Sequence, residues 1–381
     1  MTSTSHTIRL IHTADNHIGL RFAARGYSDS LQQDLIEERF NALGRIVGEA
    51  NRRKAHFLVI AGDLFDHLHI SRKESDRTAE LLKGFLGVHV VILPGNHDFF
   101  EPGRDTLWGR FAEAMSGQLL VLLSRAEPTR VPVEDREVVF YPGPCTSKTS
   151  STNAIGWIAG SSKDPLAVNI GVAHGSVMGI SPDNDERYFP MSPDELSAAG
   201  VDVWLLGHTH VRYPKERIVE RSPFFFPSTH TPDGFDCTHE GYAWYLEIGR
   251  DKSVKGESIQ TGSFRFLDWR SELRDAQGVV DLEAKLSQFD AGRTLLRLTM
   301  SGRLSTEEKA LLSALLSRLA GKFRHLDASD DRVALNIDQE FVDRQFPQGS
   351  LPHLLLSSLC SMPNGDLALQ LAYDLLIEAR Q

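Results

Sequence analysis

Five stretches of this 381-residue chain end an apolar run on side chains that bind cations or move protons. Asp15-Asn16-His17 follows IRLIHTA, Gly62-Asp63 follows HFLVIA, Gly95-Asn96-His97-Asp98 follows VVILP, His174-Gly175 follows NIGVA, and Gly207-His208-Thr209-His210 follows VWLL. Taken singly, each is ordinary, because Asn and Asp are common turn and cap residues. Five in one chain ask for a common cause. Ligands of open α/β sheets bind beyond the carboxyl ends of the strands, so these residues are expected on one rim, where neighbouring glycines let the backbone turn sharply. Two Asp, one Asn and several His, with no Cys, form an oxygen and nitrogen donor set suited to Mn, Fe or Zn. Seven or eight donors exceed what one tetrahedral ion takes. They suit two ions about 3.5 to 4 Å apart that share a carboxylate, hold a hydroxide and clamp the attacking and leaving oxygens at phosphorus. The expected chemistry is hydrolysis of a phosphoester.

The elements that must carry these residues alternate. TIRLI, HFLVIAG and VHVVILPG read as short strands; between them, DLIEERFNALGRIVGEANRR and RTAELLKGFLG space apolar residues by three and four, as in Leu35, Phe40, Leu43, Ile46 and Val47. This is βαβ order. QLLVLL, REVVFYPG, AVNIGVAHG, VDVWLLGH, SPFFFPS and YAWYLEI are further strands, and the short connections of the later ones predict an antiparallel or mixed arrangement. CTSKTSSTN, 145–153, reads as a mobile surface loop. Beyond residue 249 a small α+β unit is expected, with strands in SVKGESIQTGSFRFLDWRSEL and RTLLRLTMSG, a short helix in DLEAKLSQF and a capped helix in STEEKALLSALLSRLAG. SLPHLLLSSLC and GDLALQLAYDLLIEARQ, with Leu367, Leu371 and Leu375 in phase, predict one or two amphipathic helices. The expected domains are therefore 1–249, 250–340 and 341–381.

Composition bounds the class. Hydrophobic residues make up 41% and charged residues 24% of the chain. No apolar run approaches bilayer-spanning length and MTSTSHTIRL has no basic-then-apolar leader, so a soluble protein without a membrane partner is expected. Cys145, Cys237 and Cys360 are far apart, odd in number and free of CxxC spacing. They indicate neither a disulfide framework nor a thiolate metal site, and they fit a reducing cytoplasm. The net charge of -10 is unlike the basic footprint of a general nucleic-acid binder. Yet Lys and Arg stand at 24 against 32 acids in 1–249, 15 against 15 in 250–340, and 2 against 4 in 341–381. Cation-binding carboxylates account for part of the N-terminal excess, so DNA is not excluded.

In order, DNH, GDLFD, GNHD, the lone His-Gly and GHTH resemble the five motifs of the calcineurin-like metallophosphoesterases, a β-sandwich of mixed sheets flanked by helices. The resemblance implies Asp15, His17, Asp63 and His210 around one metal, Asp63, Asn96, His174 and His208 around a second, and Asp63 as the bridge. It places His97 opposite the scissile phosphate as general acid or transition-state donor rather than as a ligand. Over roughly residues 6–340, GDLFD together with PFFFPSTHTPDGFDCTHEGYAWYLEI and the α+β segment is similar to SbcD-type nucleases, which repair DNA double-strand breaks with an SbcC-type ATPase. That likeness implies Mn-dependent exonuclease and endonuclease activity on DNA, a homodimer, a capping domain and a C-terminal helical segment that docks the ATPase coiled coil. The ending PSTHTP, looser than is usual in the family, carries its substrate-facing positions at Thr229 and His230. Some of these nucleases carry His where Asp66 stands, whereas related phosphatases carry Asp paired with the catalytic histidine. Asp66 is therefore expected to orient His97 and to favour its imidazolium form.

Two other functions fit the same residues: hydrolysis of nucleotides or other small phosphate esters, and non-catalytic tethering of DNA ends. The long segment after residue 249 speaks against the first and the complete ligand set against the second. Elsewhere, His12 is expected to pack within the first strand, His67 and His69 to face solvent, and His239 to serve a turn. Arg212, Lys215, Arg217 and Arg221 either meet a phosphate backbone or form a solvated hairpin face. Phe266 and Trp269 in RFLDWR read as core ahead of a base-stacking platform. The terminal leucines either receive a partner helix or cover the second domain.

Overall fold

A computed structural model describes residues 7–379 apart from 116, 118, 183–186 and 364. The first six residues of MTSTSHTIRL and the last two of the predicted tail helix lie outside the described residues. The chain divides into two units, Met1–Arg265 and Phe266–Gln381.

The first unit begins with β1 (Ile8–Thr13), α1 (Asp29–Arg52), β2 (Phe57–Ala61), α2 (Arg72–Lys83), β3 (His89–Leu93), α3 (Leu107–Met115) and β4 (Leu120–Leu122). It continues with β5 (Thr129–Val133), β6 (Arg136–Gly143), α4 (Gly156–Ala159), β7 (Val168–His174), α5 (Pro193–Ala198) and β8 (Val203–Gly207). The short β9 (Ile218–Val219) and β10 (Phe224–Phe225) and the hairpin of β11 (Tyr242–Ile248) and β12 (Val254–Gln260) complete it. One sheet has the order β4-β3-β2-β1-β11-β12-β9, the other β10-β8-β7-β6-β5. β1 to β4 are parallel, as are β6, β7, β8 and β10. The strands β11, β12, β9 and β5 run antiparallel to their neighbours, so both sheets are mixed.

Parallel strands covered on both faces read as continuous apolar runs, and that explains HFLVIA and VVILP. Phe57, Val59, Val91 and Leu93 share a core with Val138, Phe140, Ile170, Val172 and Leu205 of the other sheet. The alternate residues Leu58, Ile60, Val90 and Ile92 pack instead with Phe40, Leu43 and Ile46 of α1 and with Trp108 and Phe111 of α3. Tyr141, Trp204 and Leu206 pack with Ile158 of α4 and Leu196 of α5. The outcome is a two-sheet sandwich with helices on both outer faces. Each such large side chain contributes roughly 1.5 to 3 kcal/mol on burial, and β2, β3, β7 and β8 stay buried up to their last residue.

The unit boundary falls after Arg265, not at 249. β12 pairs with β11 from Tyr242↔Gln260 to Ile248↔Val254, so residues 250–253 are the turn of a hairpin within the first sheet. The change of composition there marks a turn rather than the end of a domain.

The second unit comprises β13 (Arg265–Leu273), which starts at the junction, α6 (Ala276–Leu286), β14 (Thr294–Leu304), α7 (Thr306–Ala320) and β15 (His325–Leu335), followed by α8 (Gln339–Gln345), α9 (Leu351–Cys360) and α10 (Asp366–Glu378). Its three strands form the sheet β13-β14-β15. Leu296, Leu298 and Met300 pack with Val279 and Leu282 of α6 and Leu312 and Leu315 of α7, whose start is closed by a Ser305–Glu308 capping box. Phe266 is buried, and Trp269 packs partly against this cluster. The helical tail has its own cluster of Ile337, Phe341, Val342, Phe346, Leu356 and Leu369. Leu351, Leu354, Leu367, Leu371 and Leu375 remain exposed. Among the described residues no helix is long and apolar enough to cross a membrane.

Candidate metal centre

The site residues singled out in the sequence meet at one edge of the first unit, at or just after the ends of β1, β2, β3, β7 and β8. The segments following β1 and β2 are zipped together: Asp15 N donates to the Gly62 carbonyl (3.1 Å), His17 N to that of Asp63 (2.9 Å) and Ile18 N to that of Leu64 (2.9 Å). Within these turns Asp15, His17, Asp63 and His208 hold φ of 52°, 43°, 51° and 91°. Left-handed backbone at residues other than Gly costs on the order of 1 to 3 kcal/mol each and gathers at functional sites. Two glycines serve close approach. A Cβ on Gly62 (φ 90°) would lie 2.1 Å from His174 Nδ1, and one on Gly95 2.2 Å from Asp63 Oδ1.

Asp63 sits between two donor groups. His97 N donates to its Oδ1 (2.9 Å), while its Oδ2 lies 3.3 Å from His174 Nε2 and 3.7 Å from His17 Nε2. On one side, His17 Nε2 is 3.3 Å from His210 Nε2, which is 3.7 Å from Asp15 Oδ1. On the other, the Asn96 amide oxygen is shared by His174 Nε2 (2.9 Å) and His208 Nδ1 (3.3 Å). The main chain of His208 donates to both carboxylate oxygens of Asp15 at 3.0 Å, which ties the two sides together.

The electrostatics favour positive charge. Burial works against a charged His174, yet Asp63 and Asp15 outweigh it and lift the ring to about 9. His17 is likewise raised against burial by Asp66, Asp63 and Asp15. Burial would raise Asp63, but His174, His17 and His97 hold its carboxyl far below the usual range. Buried carboxylates need compensating charge, and a divalent cation supplies it. His174 Nδ1 donates to the Ala61 carbonyl (2.9 Å), which turns Nε2 toward Asp63 and Asn96, the arrangement that presents an imidazole to a metal. Donor atoms of Asp15, His17 and His210 all lie within 4.8 Å of one another, as do those of Asp15, Asp63 and His174. Two carboxylates, one amide oxygen and four imidazoles fit a pair of divalent ions of the Mn, Fe or Zn kind.

Asp66 is arranged otherwise than expected. Its Oδ1 lies 3.3 Å from His17 Nδ1 but 3.9 Å from His97 Nδ1, and His97 Nδ1 donates instead to the Asp66 backbone carbonyl at 2.9 Å. The main chain of Asp66 is anchored beside the first loop, its N donating to the Ile18 carbonyl (3.0 Å). That anchor turns the carboxylate toward His17 and leaves the carbonyl to orient His97. Thr229 and His230 are wholly buried, with Thr229 bridged to Ala14 and His230 Nε2 donating to the Arg39 carbonyl (2.9 Å), so neither faces a substrate. His12 is buried too, while His67 and His69 are exposed.

Three further residues bear on the site. The Tyr188 ring lies 5.0 Å from that of His208, and nothing in its sequence context marks it. Arg39 donates to the Asn16 carbonyl (2.8 Å) and to Asp233 (3.1 Å). Arg39 did carry a signal: it stands four residues from both Leu35 and Leu43, on the apolar stripe of α1.

Comparison with known proteins bears on the family. The chain is 26% identical over 216 residues to the uncharacterized metallophosphoesterase YhaO of Bacillus subtilis (strain 168), an alignment covering 54% of this chain and 49% of that protein. It is 26% identical over 297 residues to the DNA double-strand break repair protein Mre11 of Methanopyrus kandleri, covering 70% of this chain and 62% of that one. The chain thus spans about half to under two thirds of the length of these relatives. Among solved structures, TT1561 of Thermus thermophilus is similar with a TM-score of 0.40 at 10% identity, over 67% of this chain and 99% of that one. Residues 8–212, a stretch that holds every candidate ligand named above, match the family described as calcineurin-like phosphoesterase, and the chain belongs to that family.

Proposed function

We propose that this protein is a metal-dependent DNA nuclease, acting on phosphodiesters at the edge where β1, β2, β3, β7 and β8 end. Its family hydrolyses phosphoesters with divalent metals; the proposal adds the substrate. The observation that carries it is the position of the Asp63 carboxylate, 3.7 Å from His17 on one side and 3.3 Å from His174 on the other. Asp15, His17, Asp63 and His210 would hold one cation and Asp63, Asn96, His174 and His208 the other, with Mn2+ proposed for both. When bound, such a pair supplies Lewis acidity to a phosphoryl oxygen and acidifies a water.

The rest falls to side chains. His97 has Nδ1 engaged by the Asp66 carbonyl and 35% of its side chain exposed, so Nε2 is the nitrogen it offers to a substrate. From there it protonates the leaving oxygen or donates to it as charge develops. The Asp66 carboxylate steadies His17, and the Ala61 carbonyl steadies His174.

DNA is favoured because the likeness to Mre11, a DNA repair protein, extends over 297 residues, well beyond the stretch 8–212, and because an α+β unit follows that a small-ester hydrolase does not require. The resemblance to SbcD-type nucleases supports a cytoplasmic homodimer with an SbcC-type ATPase. The exposed leucines of α9 and α10 are the surface proposed to receive it.

The test offers end-labelled duplex DNA and a small aryl phosphodiester, with added Mn2+, to wild type and His97→Ala. We expect DNA cleavage by wild type and a loss of about 10²- to 10⁴-fold in the variant. Rapid turnover of the small ester without DNA cleavage would move the substrate to nucleotides or small phosphate esters. Chelator-insensitive DNA binding without any hydrolysis would point to an end-tethering subunit.

A further inference from the structure

α1 buries Leu35, Ala42, Leu43 and Ile46 along one stripe, and Glu38 and Arg39 fall on that stripe three and four residues after Leu35. Arg39 is 1% exposed. A guanidinium removed from water is strongly disfavoured unless it is paired and hydrogen-bonded. Its partners are specific. One terminal nitrogen donates to the Asn16 carbonyl (2.8 Å) and the other to Asp233 Oδ2 (3.1 Å). The guanidinium carbon lies 5.9 Å from the centre of the Phe22 ring.

Asp233 is equally committed. Burial would raise its carboxyl, but Arg39 holds it well below the usual range. Its Oδ1 accepts from Cys237 Sγ at 3.2 Å. Burial, with Asp233 adding to it, pushes the Cys237 thiol up to about 12, and in this structure it donates to Asp233. Within the trio of Asp233, Asp236 and Cys237, whose donor atoms lie close together, the Asp233 carboxylate is already engaged, one oxygen by Arg39 and the other by Cys237.

What Arg39 grips is the peptide between Asn16 and His17. Asp15 before it and His17 after it both sit in the left-handed region, which costs any residue other than Gly. The oxygen of that peptide accepts from Arg39, and its nitrogen, on His17, donates to the Asp63 carbonyl (2.9 Å). Both ends of one peptide plane are thus fixed, one by a buried cation and one by the neighbouring ligand loop. We infer that Arg39, charge-balanced by Asp233, is a positioning residue: it locks the Asn16–His17 peptide so that Asp15 and His17 are presented to one of the two cations. The inference rests on the metal centre proposed above and extends it outward, to a pair of residues that touches neither ion nor substrate. The pair acts first on the Asp15–His17 side, because His174 and Asn96 are held by the Ala61 carbonyl and by each other.

The test is Mn2+ occupancy of the full chain, by calorimetric titration and by elemental analysis after dialysis. The variants are Arg39→Lys, Asp233→Asn and Leu43→Ala, the last loosening the same helix from its apolar side without touching Asn16. Wild type is expected to bind two ions. Arg39→Lys and Asp233→Asn should weaken one site about 10- to 100-fold and leave the other unchanged, and Leu43→Ala should keep both. Should Arg39→Lys fail to fold, Asp233→Asn decides alone, since the amide removes charge but little bulk. Two wild-type sites in Asp233→Asn, equal weakening of both sites, or the same loss in Leu43→Ala would each overturn the inference and leave the metal centre standing. A wild type that takes up no Mn2+ would remove both.

Discussion

At the edge where β1, β2, β3, β7 and β8 end, the buried side chains are polar and the backbone is strained; along α9 and α10 the exposed side chains are apolar and the backbone is regular helix. Asp15, Asp63, Asn96 and His174 are at most 2% exposed, whereas Leu351 and Leu367 are 76% and 81% exposed. Each placement is unfavourable by itself. A buried carboxylate must be paired or it neutralises, and an exposed leucine forgoes about 1.5 to 3 kcal/mol of burial. The first is offset inside the unit, by imidazoles and main-chain donors. The second is left exposed among the described residues. The edge is therefore expected to be intolerant of change in the isolated protein, and the tail tolerant.

The largest effect should come from Asp63→Asn, which weakens the carboxylate that lies within 3.7 Å of both His17 and His174. Steady-state hydrolysis with Mn2+ is expected to fall to the uncatalysed background, and a variant retaining near-wild-type turnover would break the contrast outright. His97→Ala should cost about 10²- to 10⁴-fold in turnover while Mn2+ binding, followed by calorimetry, stays at two ions. That split separates the proton-handling part of the edge from the cation-holding part.

Acid should act on the first unit more gently. His12 is wholly buried and, although the Phe225 and Leu206 carbonyls accept from it, burial holds it down at about 4. Between its unfolded value near 6.5 and this folded value the unfolded chain binds a proton that the folded chain refuses. Stability present above pH 6.5 is thus lost as the pH falls toward 4, by about 2 kcal/mol between pH 7 and pH 5 from this residue. Urea unfolding at the two pH values should show a smaller difference in His12→Asn than in wild type. The smallest effect is expected in the tail: Leu367→Ser and Leu371→Ser should leave hydrolysis unchanged and move stability by no more than about 0.5 kcal/mol in thermal unfolding. A large loss there would mean those leucines already pack against something within the chain.

The residues gathered at the edge were legible because parallel strands covered on both faces are apolar throughout, so Asp15, Asp63, Asn96, His174 and His208 stand out where the runs stop. The capping box at Ser305 was legible as a local spacing. β15, HLDASDDRVAL, was not: most of its residues are exposed or half-exposed, and no alternation betrays a strand whose stability comes from pairing with β14. The boundary at 249 misled because a hairpin turn and a domain end share the same polar composition. Asp66 was legible as a site residue but not in its manner of acting, since its carbonyl and its carboxylate serve different histidines and only the fold of the main chain decides which. The Arg39–Asp233 pair spans 194 positions, and only the misplaced charge on the α1 stripe hinted at it.

The most direct measurement is an anomalous-scattering map from crystals of the full chain prepared with Mn2+. Two peaks are expected at one edge of the first unit, one beside Asp15, His17 and His210, the other beside Asn96, His174 and His208, with Asp63 reaching both. A single peak, or a pair that leaves Asp63 untouched, would contradict the dimetal centre.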